Sequence, residues 1–178
     1  MTLRRLAGDP RWITWLALTP MPQRPMPGLF HMIPQGRGSL GDRMAAVAQR
    51  LPPGPVVIVG SDIPGISTAA IAKAFRLLGS NDAVFGPAMD GGYWLVGLRR
   101  RPKFVDPFAK VRWSSEHALE DTITNLRKHS VAFVEVLEDV DDAAALKRHL
   151  ATPRTFAGRP WIGLDRSNAK DQSCATPL

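Results

Sequence analysis

VVIVGSDIPG, residues 56–65, constrains the architecture more than any other stretch. Val56, Val57, Ile58 and Val59 form an unbroken β-branched run between Pro55 and Gly60, with no polar residue to mark a wet face. Such a run is expected of a strand covered on both sides, and therefore of a sheet with helices on both faces. The neighbouring sequence supplies both kinds of element. Leu40, Met44, Val47, Ala48 and Leu51 share one face of a helix that PPGP ends. Ser67 can cap a second helix, with Ile71, Ala74, Phe75 and Leu78 as its apolar stripe and Gly79 at its close.

The same reading extends along the chain. WITWLALTP (12–20) is a β-rich run stopped by Pro20, the proline-laden MPQRPMPG is a loop, and LFHMIPQ (29–35) can form a short strand. DAVFGPA (82–88) and YWLVGL (93–98) read as strands around MDGG. A helix with Leu119, Ile123 and Leu126, a strand VAFVEVL (131–137) and a last helix with Leu146 and Leu150 follow. Strands alternating with helices predict an α/β fold: a mostly parallel sheet with helices on both faces. One domain is expected over 1–151, with an irregular tail over 152–178. In sheets of this kind ligands gather beyond the carboxyl ends of the strands. Asp62 falls there, just past VVIVG, and Pro64 turns the chain away. It can face the crevice, or it can serve as a turn residue bonding its own backbone; both readings stand on spacing alone.

Composition limits the functional classes. An apolar share of 44% with 22% charged residues is that of a globular domain, and 178 residues suffice for a core. Lysines and arginines number 23 against 16 acidic residues, a net charge of +7. The sharpest basic run, Arg99-Arg100-Arg101 with Lys103, Lys110 and Arg112 following, can be a solvated loop or an anion-facing patch. No aromatic residues alternate with it, so nucleic acid is a poor candidate partner. Cys174 is the only cysteine, which excludes an internal disulfide and a cysteine zinc cluster, and the four histidines show no metal-ligand spacing. Apolar runs are too short for a membrane span, and no cleavage site follows Arg4-Arg5 and WITWLAL, so a cytoplasmic, non-membrane protein is expected.

Five stretches in order carry a family resemblance: QGRGSLGDRM (35–44), VVIVGSDIPG, GPAMDGGYWLVGL (86–98), WSS (113–115) and LEDVDD (137–142). Over residues 12–150 the chain resembles the DUF2064, glycosyltransferase-A-like family. That family is similar to the molybdenum-cofactor and phospholactate guanylyltransferases. The resemblance implies a nucleotide-diphospho-sugar transferase fold. It places Asp62 where the family's aspartate holds Mg²⁺ or Mn²⁺ on the nucleotide phosphates, with Asp139 and Asp141 as further acidic ligands. Hard divalent ions take such oxygen donors.

Asp90-Gly91-Gly92 has two readings from the residues: a hairpin turn, or a loop where backbone and carboxylate meet a ligand closely. The resemblance favours the second. Asp90 would then orient the acceptor, and Gly91, Gly92, Gln35 and Gly36 would bind substrate. Trp113-Ser114-Ser115 can touch substrate or cap a helix; the residues leave that open. Ser39 and Asp42 depart from the acidic residues usual in relatives. Residues 1–11 lack the glycine- and lysine- or arginine-containing loop with which relatives bind the donor, and the fold is expected to be truncated at its N-terminus.

Two functions follow from the resemblance. One is metal-dependent transfer of a glycosyl or nucleotidyl group, from a nucleotide sugar or nucleoside triphosphate to a small-molecule acceptor. The other is a non-catalytic subunit that keeps the sheet. Because the donor-binding loop is missing, very poor turnover of nucleotide sugars or nucleoside triphosphates is expected of the chain. The family's first strand lies between the second strand and the one ending at Asp62. Without it, either WITWLALTP pairs with VVIVG, or a second copy of the chain fills the gap as a homodimer.

Overall fold

A computed structural model describes residues 2–24, 28, 30–61, 63 and 65–137. The apolar runs form strands and the periodic segments form helices. In order these are α1 (Thr2–Ala7), β1 (Trp15–Leu18), β2 (His31–Pro34), α2 (Leu40–Arg50), β3 (Val56–Val59), α3 (Thr68–Leu77), β4 (Ala83–Pro87), β5 (Tyr93–Leu98), α4 (Ala118–Asn125) and β6 (Val131–Phe133). The expected last helix and the tail from 152 lie outside the described residues. None of the described helices is long and apolar enough to cross a membrane.

The strands make two sheets, β1-β2 and β3-β5-β4-β6. The expectation of a mostly parallel sheet needs correction here. β1 with β2 and β4 with β6 are parallel, but β5 runs antiparallel to both β3 and β4. The reason is chain length: a parallel return needs a dozen or more residues, and residues 88–92 between β4 and β5 permit only a hairpin. β3, β4 and β6 still point the same way, so their carboxyl ends collect at one edge.

A bulge at the end of β4 and β5 adjusts what faces what. Gly86 pairs with Leu95 and Pro87 with Tyr93, which leaves Trp94 as the extra residue. The bulge turns the Trp94 side chain to the face of Leu95, where it is 2% exposed and its indole N–H donates to Glu135 O at 3.0 Å. A Cβ on Gly86 would sit 2.5 Å from that ring, so only glycine fits opposite.

Each face of the four-stranded sheet carries its own core. On one, Val84, Trp94 and Leu95 meet Ile71, Ala74 and Leu78 around α3, with Leu6 of α1. On the other, Val56, Phe85, Val96 and Leu98 meet Ala45 and Ala48 of α2 and Leu119 and Leu126 beside α4. The first helix has no counterpart in the sequence reading. It is held by Leu6, by Arg5 Nη2 donating to Ile66 O at 3.0 Å, and by Trp12 Nε1 donating to Leu6 O while the Trp12 ring stacks on Phe75.

Helix α2 begins in a capping box. Ser39 Oγ accepts from Asp42 N–H, and Asp42 Oδ2 accepts from Ser39 N–H at 2.9 Å. The Ser39 hydroxyl, donating to Asp42 Oδ2 at 2.8 Å, and then the Ser39 N–H hold the Asp42 carboxyl below its ordinary pKa. Val47 and Ala48 are buried as expected, but in the first turns the buried positions are Gly41 and Ala45 rather than Leu40 and Met44. Leu40 is exposed, and Gly41 packs where a Cβ would meet Trp113 at 2.8 Å.

Both sheets end on an open edge. Gly60 N–H donates to Trp94 O, and by the register of β3 with β5 the backbone groups of Val57 and Val59 point away from β5. Among the described residues no strand pairs with that edge of β3, or with the edge of β1 opposite β2. The expected pairing of β1 with β3 does not occur among the described residues.

Arg100 closes the α2–β3 connection. Its guanidinium donates to the carbonyls of Gly54 (2.6 Å) and Leu51 (3.1 Å), and to those of Ala48 and Pro52. Helix carbonyls left over at a C-terminus need such donors. Its backbone sits at φ +61°, a conformation that disfavours side chains. Arg100→Ala should lose about 2–4 kcal/mol of stability in urea titrations, and Arg100→Lys should recover little, because an ammonium cannot span four acceptors. Arg100→Gly should lose about 1 kcal/mol less than Arg100→Ala, because it relieves the backbone strain.

Candidate functional site

The carboxyl ends of β3, β4 and β6 define the candidate site. Beyond Gly60 and the exposed Ser61, Ile63 (4% exposed) and Ile66 (2%) drive the β3–α3 loop into the core. Ser67 then caps α3 as its sequence suggests, its Oγ accepting from Ala70 N–H at 3.1 Å. Asp62, within this loop, lies outside the described residues, as do Asp139 and Asp141. Their described neighbours nonetheless meet. Leu137 N–H donates to Pro87 O at 3.1 Å and Leu137 bridges Ala88 in parallel. A Cβ built on Gly65 would lie 3.6 Å from Leu137 Cδ2. The loop that carries residue 62 is therefore packed on the residue from which 138–142 depart. Among the described residues no group of three or more His, Cys, Asp or Glu could hold a metal ion.

The β4–β5 turn forms another wall of this edge. Asp90 Oδ1 accepts from Gly92 N–H at 2.9 Å, and Ala88 N–H donates to Gly92 O. The hairpin reading of Asp90-Gly91-Gly92 thus describes its backbone. Gly91 has φ +87°, and a Cβ there would stand 2.2 Å from Glu116 O. Its close approach is to the chain's own backbone: Leu119 N–H, in the first turn of α4, donates to Gly91 O at 3.1 Å. Asp90 is exposed, and its Oδ2 makes no hydrogen bond to the described residues.

WSS braces the turn from beneath. Trp113 lies against Tyr93 and Phe108, while Ser115 Oγ donates to Arg112 O and accepts from His117 N–H at the entry to α4. Arg112 grips Asp121 through both carboxylate oxygens, at 2.8 and 2.7 Å, and holds that carboxyl well below the usual range. Burial pushes the Tyr93 hydroxyl upward; Thr122, its polar neighbour, donates instead to Ala118 O.

Gln35 and Gly36 stand at the end of the two-stranded sheet. Gln35 N–H donates to Leu18 O, its Nε2 to Ala17 O, and its Oε1 accepts from Arg43 at 2.9 Å. Gly36 turns the chain at φ +93° toward the capping box. No hydrogen bond among the described residues joins either to the β4–β5 turn. The support that sequence reasoning missed is the contact of Gly91 with α4. An interior strand glycine, Gly86, was the available signal for the bulge that places Trp94.

Gly91→Ala should cost about 2–4 kcal/mol, because the backbone conformation and the contact with Glu116 both forbid a methyl group. Gly92→Ala should stay within about 1 kcal/mol, since its nearest neighbours would be the atoms of the Asp90 carboxylate, Oδ1 nearest at 3.1 Å. Thermal melts of the two variants read this difference directly.

Comparisons with known proteins bear on the family and the fold. A structure from Desulfovibrio desulfuricans G20, of a protein provisionally named a nucleotide-diphospho-sugar transferase, is similar at 30% identity with a TM-score of 0.66. The match covers 72% of this chain and 58% of that one, so the chain spans less than two thirds of that protein's length. No curated protein matches. The model of a bacterial family of uncharacterised proteins, DUF2064, matches residues 2–115, which include β1 to β5, the loop of residue 62 and the Asp90 turn. The chain belongs to the DUF2064 family, and its α/β fold is that of a nucleotide-diphospho-sugar transferase.

Proposed function

We propose that the protein is a metal-dependent transferase that moves a glycosyl group from a nucleotide-sugar donor to a small-molecule acceptor. The observation that carries this reading is the packing of Gly65 on Leu137 at the edge where β3, β4 and β6 end. Asp62 lies three residues before Gly65, and Asp139 and Asp141 lie two and four residues after Leu137. At about 3.5 Å of reach per residue these carboxylates can converge on one ion. Their chemistry suits Mg²⁺ or Mn²⁺, which take a few carboxylates and complete their shell with phosphate oxygens and water.

In this reading Asp62, with Asp139 or Asp141, holds the divalent ion, which supplies charge neutralisation for the departing nucleoside diphosphate. Asp90 positions the acceptor. Its Oδ1 is fixed by Gly92 N–H, so Oδ2 is presented in a set direction to accept from a hydroxyl. Gly91 and Gly92 hold that carboxylate at the crevice, and Gln35 and Gly36 border the donor side from β2. The sugar C1–O bond to the diphosphate breaks as the acceptor oxygen bonds to C1, and the hydroxyl proton leaves to a base or to water.

Paramagnetic broadening by Mn²⁺ tests the metal assignment without requiring turnover. Asp62→Asn should weaken binding about tenfold or more, while Asp90→Asn should leave it unchanged. Equal Mn²⁺ binding by the parent and Asp62→Asn removes Asp62 from the site. In a panel of donors, nucleoside diphosphate should be released from nucleotide sugars. Pyrophosphate release from nucleoside triphosphates would instead indicate nucleotidyl transfer.

Self-association belongs to the same proposal. The open edges of β1 and β3 offer backbone groups that a second copy can pair with. Light scattering over a concentration series should show a dimer that Trp15→Glu, placed on β1, dissociates. A concentration-independent monomer would mean that the edges stay solvated.

A further inference from the structure

At the opposite edge of the four-stranded sheet from the candidate site lies a small recess, open to solvent. Asp82, Leu98, Arg99, Arg100, Arg101, Lys103, Val105 and Leu126 line it. We propose that this recess is an accessory binding site for a phosphate group, supplied by a small phosphorylated molecule or by a lipid headgroup.

Charge balance is the first argument. Four cations and one carboxylate line the recess, a net charge of +3 on a small concave surface. Asp82, the one carboxylate in the lining, offsets a single one of these charges and lies near enough to Arg99 for the two to attract. Its Oδ2 accepts from both Ser130 N–H (2.9 Å) and Ser130 Oγ (3.0 Å), and His129 lies 3.7 Å away. Arg99, Arg101 and Lys103 are exposed and make no ion pair among the described residues. Arg112, close in sequence, differs: it is spent on Asp121.

Local geometry is the second argument. Arg100 turns inward at φ +61° and is anchored on four carbonyls, none of them a carboxylate, so it adds fixed positive charge behind the recess. Burial lowers its pKa, and the neighbouring charge of Arg101 adds to that effect. Arg99 N–H is tied to Asp82 O at 2.9 Å, which fixes the start of the run against β4. The arginines on either side of Arg100 therefore leave a rigid base toward solvent. Guanidinium forks on such a base match phosphate oxygens in pairs. Like charges held this close repel, and an anion relieves that repulsion.

The test compares the full chain with Arg99→Gln/Arg101→Gln/Lys103→Gln, which leaves Arg100 and the candidate site intact. At matched ionic strength in chloride, the variant should melt at the same temperature as the parent or higher. Millimolar inorganic pyrophosphate should raise the melting temperature of the parent and not of the variant. A second arm uses flotation with phosphatidylglycerol vesicles, with phosphatidylcholine vesicles as control. Variant-sensitive binding to pyrophosphate identifies a free phosphate compound, and variant-sensitive flotation without a pyrophosphate response identifies a lipid headgroup. Equal responses of parent and variant in both arms, or none from the parent in either, overturn the proposal.

Discussion

β5 runs against both of its neighbours, and the main sheet is assembled around that reversal. β3 is joined to β4 and β6 only through β5, so the hairpin closed by residues 88–92 also decides where β3 lies. With β5 inserted between them, β3 and β4 share a direction without pairing, and their carboxyl ends lie at one edge. The Trp94 bulge completes the arrangement. It sends Tyr93 to the α4 face and Trp94 to the α3 face, so two aromatic side chains adjacent in sequence stiffen opposite sides of the hairpin mouth. The candidate site is thus framed by a turn that is bonded to itself and to α4, an arrangement suited to holding a carboxylate still.

Much of this was legible in the residues. VVIVG, DAVFGPA, YWLVGL and VAFVEVL announce strands because apolar β-branched and aromatic residues sit between strong breakers, and Ser67 announces a helix start that its hydroxyl makes. What could not be read was pairing direction. The strength of a strand signal carries no information about its neighbour, and only the length of the connecting segment distinguishes a hairpin from a crossover. MDGG is short enough to have given the direction away. Weak amphipathic signals were lost in the same manner: among its described side chains α1 buries Leu6, and Arg5 and Trp12 attach it.

The site was legible in outline through its family motifs, less so through chemistry alone. Asp90 and Gly91 illustrate the difference. Two glycines after a carboxylate signal close backbone approach, and a close approach exists, but for Gly91 the object approached is Glu116 rather than a ligand. Sequence says that something must come near; it does not say what. The same holds for Arg100, one of three consecutive arginines with identical local character. Only the positive φ and the carbonyls of the α2–β3 connection separate it from Arg99 and Arg101.

The open edge of β3 has a consequence for how the core breathes. Within one four-residue strand, Val56 and Ile58 lock their amides into β5 while Val57 and Val59 turn theirs toward an edge without a partner strand among the described residues. Both classes of side chain belong to the core, so burial alone would protect all four amides alike. Hydrogen exchange instead follows the rungs of the ladder. Deuterium should enter at alternate residues of β3, quickly at Val57 and Val59 and slowly at Ile58. Anything that later occupies the edge, whether polypeptide or second copy, would erase that alternation and could be followed by its disappearance.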